Sequence, residues 1–279
     1  MSRKTLILLA LAAFAAVPLL ARADTISLGT AGNFAVLAGT TVTNTGLTVI
    51  NGGDVGVSPG TAITGFATVD SGPGTIASPY TTHAADAVAL QAQNDLTTAY
   101  NAAAGVASSQ DLTGQDLGGL TLTPGVYFFS SSAGLTGTLT LNDQGELHPL
   151  FVFQIGSTLT TASNSSVVMI NTGSTADLGC NVFWQVGSSA TLGTGTAFEG
   201  HILAHTSITM NTGASILDGS ALASTGAVTL DDNAITNCSA GTDGTAVPLP
   251  SAAAMGLGLL PTLWVLARSR KQHRKHILR

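Results

Sequence analysis

The chain is most informative in what it withholds. Between residues 24 and 250 it contains no lysine and no arginine, although the 279-residue sequence has nine of them. All nine lie within residues 1–23 or 268–279, while all fifteen aspartates and glutamates fall inside the cation-free span. Nucleic-acid binding needs clustered cations to displace counterions, so the middle of the chain is not built for it. Phosphate loops and Arg–carboxylate clamps are excluded by the same absence. Glutamate is nearly absent too, with Glu146 and Glu199 alone. Glycan hydrolysis needs two placed carboxylates, yet the adjacent Asp231 and Asp232 would point to opposite sides of a strand; with Asp218 they read as solvated turn residues. Glu199, His201 and His205 alternate and so share one side of a strand, but their spacing matches no metal motif, and they read as polar residues at a coil edge. No catalysis, cofactor or metal is expected.

The ends carry what the middle lacks. Residues 1–23 run from Arg3 and Lys4 through TLILLALAAFAAVPLL to the small-residue site Ala21-Arg22-Ala23, the order of a secretory signal peptide. Residues 239–250 are a Gly, Ser and Thr linker. Residues 251–279 hold VPLP's continuation, SAAAMGLGLLPTLWVLA, then the basic RSRKQHRKHILR. That apolar segment is at the short limit for a bilayer, and the cations behind it favour the cytoplasmic side. This C-terminus resembles PEP-CTERM sorting signals of the VPLP type. The resemblance implies export, transient membrane anchoring and transfer to the cell surface or exopolysaccharide. A pair of cysteines, Cys180 and Cys238, suits a disulfide in an exported protein.

Residues 24–238 are organised by repetition. FVFQIGSTLTT (151–161), VFWQVGSSATLG (182–193), HILAHTSITMN (201–211) and ALASTGAVTLD (221–231) share an alternating apolar start, a small kink and an x-Thr-x strand. FAVLAGTTVTNTG at 34–46 is an earlier copy. Short β-branched runs broken by Gly, Asn and Ser at this period predict stacked coils of a parallel solenoid. Parity assigns the sides. If Leu159, Ala190, Ile208 and Val228 fill the lumen, Thr160, Thr191, Thr209 and Thr229 point outward in single file, flanked by Thr158, Ser189, Ser207 and Ala227. Phe183-Trp184 and Tyr127-Phe128-Phe129 read as core. One segment departs from this pattern: between 81 and 104, Ala85, Val88, Ala92, Leu96, Ala99 and Ala103 recur at helical spacing, with Thr81 or Thr82 as N-cap and Gly105 as stop.

A file of short hydroxyls and methyls on a regular lattice suits ordered water, because threonine has few rotamers to lose and no charge to keep its own hydration shell. LGTAGNFAVLAGTTVTNTG, GDVGVSPG at 53–60, the Ala-rich helix and LTPGVYFF at 122–129 resemble the microbial ice-binding proteins. The resemblance implies an all-β, right-handed parallel β-solenoid with discontinuous coil order, a single long α-helix packed alongside, and adsorption to ice. It also implies a Thr-Ala/Gly-x-Thr/Asn pattern on the ice face. Thr194-Gly195-Thr196-Ala197 and Thr212-Gly213-Ala214-Ser215 match it incompletely, which adds Thr194, Thr196, Thr212 and Ser215 to the candidate face of Thr160, Thr191, Ser207, Thr209 and Thr229. Three sequential coils would separate Cys180 from Cys238 by about 14 Å, beyond the roughly 7 Å a disulfide spans; out-of-order coils could bring them together. The alternative function is a structural or adhesive matrix module of the same fold.

Overall fold

The computed structural model of the protein describes residues 26–146, 149–172 and 179–238. The expected leader, linker and C-terminal segment lie outside these residues, and no helix among the described residues is long and apolar enough to cross a membrane.

Short strands separated by small-residue corners wind the chain through three parallel sheets. A typical turn contributes Val182–Val186 to a nine-stranded sheet A, Ala190–Leu192 to a seven-stranded sheet B and Ala197–Glu199 to an eight-stranded sheet C. Strands of Gly125–Phe129, Phe151–Ile155, Val182–Val186, His201–Ala204 and Ala221–Ala223 stack in chain order. The N-terminal turn then docks on the last one. Val36 pairs with Ala221, Val42 with Val228 and Ile50 with Ile235. The copy at 34–46 therefore follows residues 221–231 in space although it precedes them in sequence. It covers what would otherwise be an open strand edge. Asn237 fastens the seam, its N–H donating to the Asn51 carbonyl at 2.9 Å and its Nδ2 to the Gly32 carbonyl at 2.9 Å.

Inside the coil, identical positions of successive turns stack. Tyr127, Phe153 and Trp184 are in register, with ring centroids 5.4 and 3.9 Å apart. Trp184 is fully buried and its Nε1–H donates to the Glu199 carbonyl at 3.0 Å, as a buried indole requires. The aromatic pairs read as core from the sequence are core, except that Phe128 is half-buried.

The long helix is Ala87–Gly105, shorter at its start than the predicted 81–104. Thr82 belongs to a strand, paired with Val55, so neither threonine caps the helix; the Asp86 carboxylate does, accepting the Ala89 N–H at 2.8 Å. Ala85 lies outside the helix at φ 51°, and Val88 faces solvent. Ala92, Leu96, Ala99 and Ala103 pack on Leu37, Val152, Phe183, Leu203 and Leu222, the outward side chains of sheet A. Small alanines let the helix axis approach the sheet closely. The Gln154 Nε2 reaches across to the carbonyls of Ala103 at 2.8 Å and Val106 at 2.7 Å, satisfying groups that a helix C-terminus leaves open. Sheet A is thus covered on both faces, whereas among the described residues no helix covers B or C. A single-turn helix, Ala67–Asp70, and a 3-10 helix, Gly29–Asn33, accompany the long one.

Cys180 and Cys238 are bonded, with Cα atoms 5.8 Å apart. The coil order does not explain this, because the turns between them stack sequentially. Instead Gly179, next to Cys180, lies against the corner: a methyl built on it would lie 2.6 Å from Glu199 Oε1 and 2.9 Å from Asp218 Cβ. Under the disulfide sits His201, its Nδ1 2.8 Å from Ser220 Oγ and its Nε2 3.6 Å from Cys238 Sγ. Burial pushes His201 down to about 4. Burial, reinforced by the Asp218 charge, pushes Glu199 up to about 8.

Two outcomes follow. Reducing the bond, which links residues 58 apart, releases about 4 kcal/mol of loop entropy to the unfolded chain; calorimetry with and without reductant should record a Tm lower by on the order of 10 °C. The pH profile is set by opposed residues. Folded His201 refuses a proton that the unfolded chain accepts below 6.5, so its effect is to lower stability as pH falls from 6.5 towards 4. Folded Glu199 keeps a proton that the unfolded chain releases above 4.5, so its effect is to lower stability as pH rises from 4.5 towards 8. The two slopes cancel between 4.5 and 6.5. From pH 6.5 to 8 Glu199 acts alone, and chemical denaturation should show a loss of about 2 kcal/mol that Glu199→Gln removes.

Candidate functional site

Sheet B presents the most regular open surface. Its strands place a threonine on the outer side, as in Ile208–Met210 and Val228–Leu230, except Ala133–Leu135, where Gly134 holds that position. The ladder pairs Thr160 with Thr191, Thr191 with Thr209, Thr209 with Thr229, Thr229 with Thr43, and Thr43 with Thr64. Six threonines therefore run in one unbroken file, spaced by about 4.8 Å and spanning about 24 Å. The file crosses the seam without a change of register. Leu159, Ala190, Ile208, Val228, Val42 and Ile63 fill the lumen behind it. Thr160, Thr229 and Thr64 are exposed; Thr191, Thr209 and Thr43 are half-buried between their neighbours.

The parity argument placed four of these residues and missed Thr43 and Thr64. Their signal was the same apolar-Thr motif in TVTN and AIT, but nothing local says that these strands stack beyond Thr229.

Hydroxyl use separates this file from the rank beside it. Ser189 Oγ accepts the Ser207 N–H at 3.3 Å, Ser207 Oγ accepts the Ala227 N–H at 3.2 Å, and Thr158 Oγ1 donates to Ser132 Oγ at 2.9 Å. Those oxygens knit adjacent turns together. Among the described residues none of the six file hydroxyls is committed to a protein partner. They are free to bond water. On the other flank the Asp231 carboxylate takes up the hydroxyls of Thr45 and Thr212, and Asp232 accepts the Leu47 N–H. The acid pair thus braces a corner, as turn residues do.

The residues added by pattern do not gather on this face. Thr194 and Thr212 are exposed at the corner between sheets B and C. Thr196 is 0% exposed, its Oγ1 2.8 Å from Thr161 Oγ1 and 3.2 Å from the Ala162 carbonyl, so it is a corner brace and not a surface group. Ser215 lies in sheet C, paired with Ala197 and Ala234. Parity lapses at these corners because Gly195 and Gly213 take φ of 68° and 73°. Glu199, His201 and His205 are likewise parted. Gly200, at φ 94°, turns the chain from sheet C to sheet A between the first two, leaving Glu199 and His201 buried and His205 exposed. No group of three metal-binding side chains assembles among the described residues.

Known proteins match this architecture over most of its length. Residues 36–236 fit the model of a family described as ice-binding-like. An ice-binding protein of Nostoc sp. (strain HG1) is 53% identical over 279 residues, covering 98% of both chains. One from Colwellia sp. is 37% identical over 228 residues, covering 75% of this chain and 83% of that protein. Among solved structures, an ice-binding protein from an Antarctic biological consortium superposes with a TM-score of 0.68 at 46% identity, covering 76% of this chain and 91% of that one. An ice-binding protein of the Antarctic ascomycete Antarctomyces psychrotrophicus superposes with a TM-score of 0.68 at 42% identity, covering 75% and 97%. A solenoid of three parallel sheets, one long helix laid along sheet A and relatives of this closeness lead to one conclusion: the chain belongs to the ice-binding-like family.

Proposed function

We propose that the protein adsorbs to ice through the outer face of sheet B, without catalysis. The observation that carries this reading is the file of six in-register threonines whose hydroxyls no group among the described residues uses. Such oxygens can hold water at the strand repeat, while the methyl beside each one discourages competing solvation. A lysine or arginine here would keep a disordered hydration shell, and residues 24–250 contain neither. The other sheets fit less well: the helix covers A, and C mixes Leu217 and Val168 with the Glu199 carboxyl.

The reading extends to location. Residues 1–23 direct export and residues 251–279 anchor or sort the protein at the cell surface, where exopolysaccharide is a neighbour. The bonded cysteine pair supports an oxidising destination.

Thr209→Tyr and Thr43→Tyr test the face from both sides of the seam. Each places a bulky ring in the file at an outward position, where folding should change by no more than about 0.5 kcal/mol. The concentration needed to inhibit ice recrystallisation should rise roughly tenfold or more, a loss of about 1.4 kcal/mol in adsorption. Ser215→Tyr on sheet C should leave it unchanged. Retained activity in both threonine variants would move the contact to another face.

A further inference from the structure

Sheet C carries a second feature that ice adsorption does not use. Its outer face holds four of the large apolar side chains left in solvent, Val49, Val168, Ile170 and Leu217, the last 51% exposed. Beside Val168 and Leu217 the surface sinks into a groove of about 500 Å³, also lined by Ala197, Glu199, Asp218 and Thr236. Glu199 shares the register and parity of Leu217, so its carboxyl points to this side. It is 6% exposed, and among the described residues no donor reaches it. The Gly179 backbone lies close to Oε1, and among the described residues the charge that acts on the carboxyl is a like one, Asp218. A buried carboxyl without a donor is costly to maintain, and replacement by an apolar residue would remove that cost.

The surroundings select a cation of a particular shape. The lining sets the side-chain oxygens of Glu199, Ser215, Asp218 and Thr236 beside the apolar Val168, Ala197 and Leu217, whereas calcium takes six to eight oxygens and has no use for apolar neighbours. An ammonium on an aliphatic stem uses both halves of the groove: the Glu199 carboxylate for its head, methyl groups for its methylenes. A second copy of the described domain cannot provide it, since residues 24–250 have no lysine.

We propose that this groove receives a lysine side chain of another protein, with its ammonium at the Glu199 carboxyl and its stem along Leu217 and Val168. The raised Glu199 pKa fits this role, because the carboxyl keeps its proton at neutral pH until a cation lies beside it.

The test is an NMR titration of the full chain with Nα-acetyl-lysine methylamide, run beside its uncharged norleucine counterpart and beside calcium chloride. Saturable shifts centred on Glu199, Leu217 and Val168 are expected with the lysine compound, at least about tenfold weaker with norleucine or in Glu199→Gln. Leu217→Ser, at an exposed position, gives a second variant and should weaken binding about threefold; unchanged sheet B signals certify folding in both. Equal shifts with norleucine, shifts produced by calcium instead, or no localised shifts at all would overturn the proposal.

Discussion

Pairing of the N-terminal turn with the last turn of the coil is the constraint on which the rest of the molecule depends. Without it the strand Ala221–Ala223 and its partners in sheets B and C would end in an open edge, and the threonine file would stop at Thr229. The pairing works because both turns keep apolar residues inward at matched positions. Val42 on Val228 and Ile50 on Ile235 bury matching surfaces, and Asn237 locks the junction from the corner. The helix depends on this arrangement too. Its residues pack against Leu37 from the N-terminal turn and against Leu222, Leu203, Phe183 and Val152 from the later ones, so it bridges the seam.

Three sheets of one coil have different outer environments, and small chemical differences create them. Sheet A points leucine, valine and phenylalanine outward and is covered by alanines. Sheet B points out threonines whose oxygens stay free, while the adjacent serines bind the ladder. Sheet C keeps apolar side chains and one buried carboxyl. The cation-free composition serves the middle surface most directly, since a single lysine among the threonines would interrupt both the lattice and its water. Acidic groups are tolerated where they work as braces: Asp231 and Asp232 at a corner, Asp86 at the helix start, and Asp95, which accepts the Thr30 N–H and hydroxyl.

What was legible in the sequence was whatever depends on neighbours a few residues away. Alternation within ITM and VTL gave the lumen and the outward threonines, and helical spacing gave Ala92, Leu96, Ala99 and Ala103 as the buried stripe. What failed depended on distant partners or on corners. Thr43 and Thr64 join the file through pairing with a strand from the other end of the chain, which no local pattern encodes. Thr196 turned inward and Glu199 parted from His201 because glycines at positive φ reset the parity between strands. The helix began at Asp86 because Thr82 was already taken by sheet A. The disulfide goes with the placement of Gly179 against the corner, and neither coil order nor coil spacing contains that placement.

The most direct measurement is a high-resolution crystal structure that resolves the water over sheet B. The account predicts Thr43 in register with Thr229, and one ordered water between successive threonine hydroxyls, repeating at the strand spacing from Thr160 through Thr64. Water without that repeat, or a seam shifted so that Thr43 leaves the file, would contradict it.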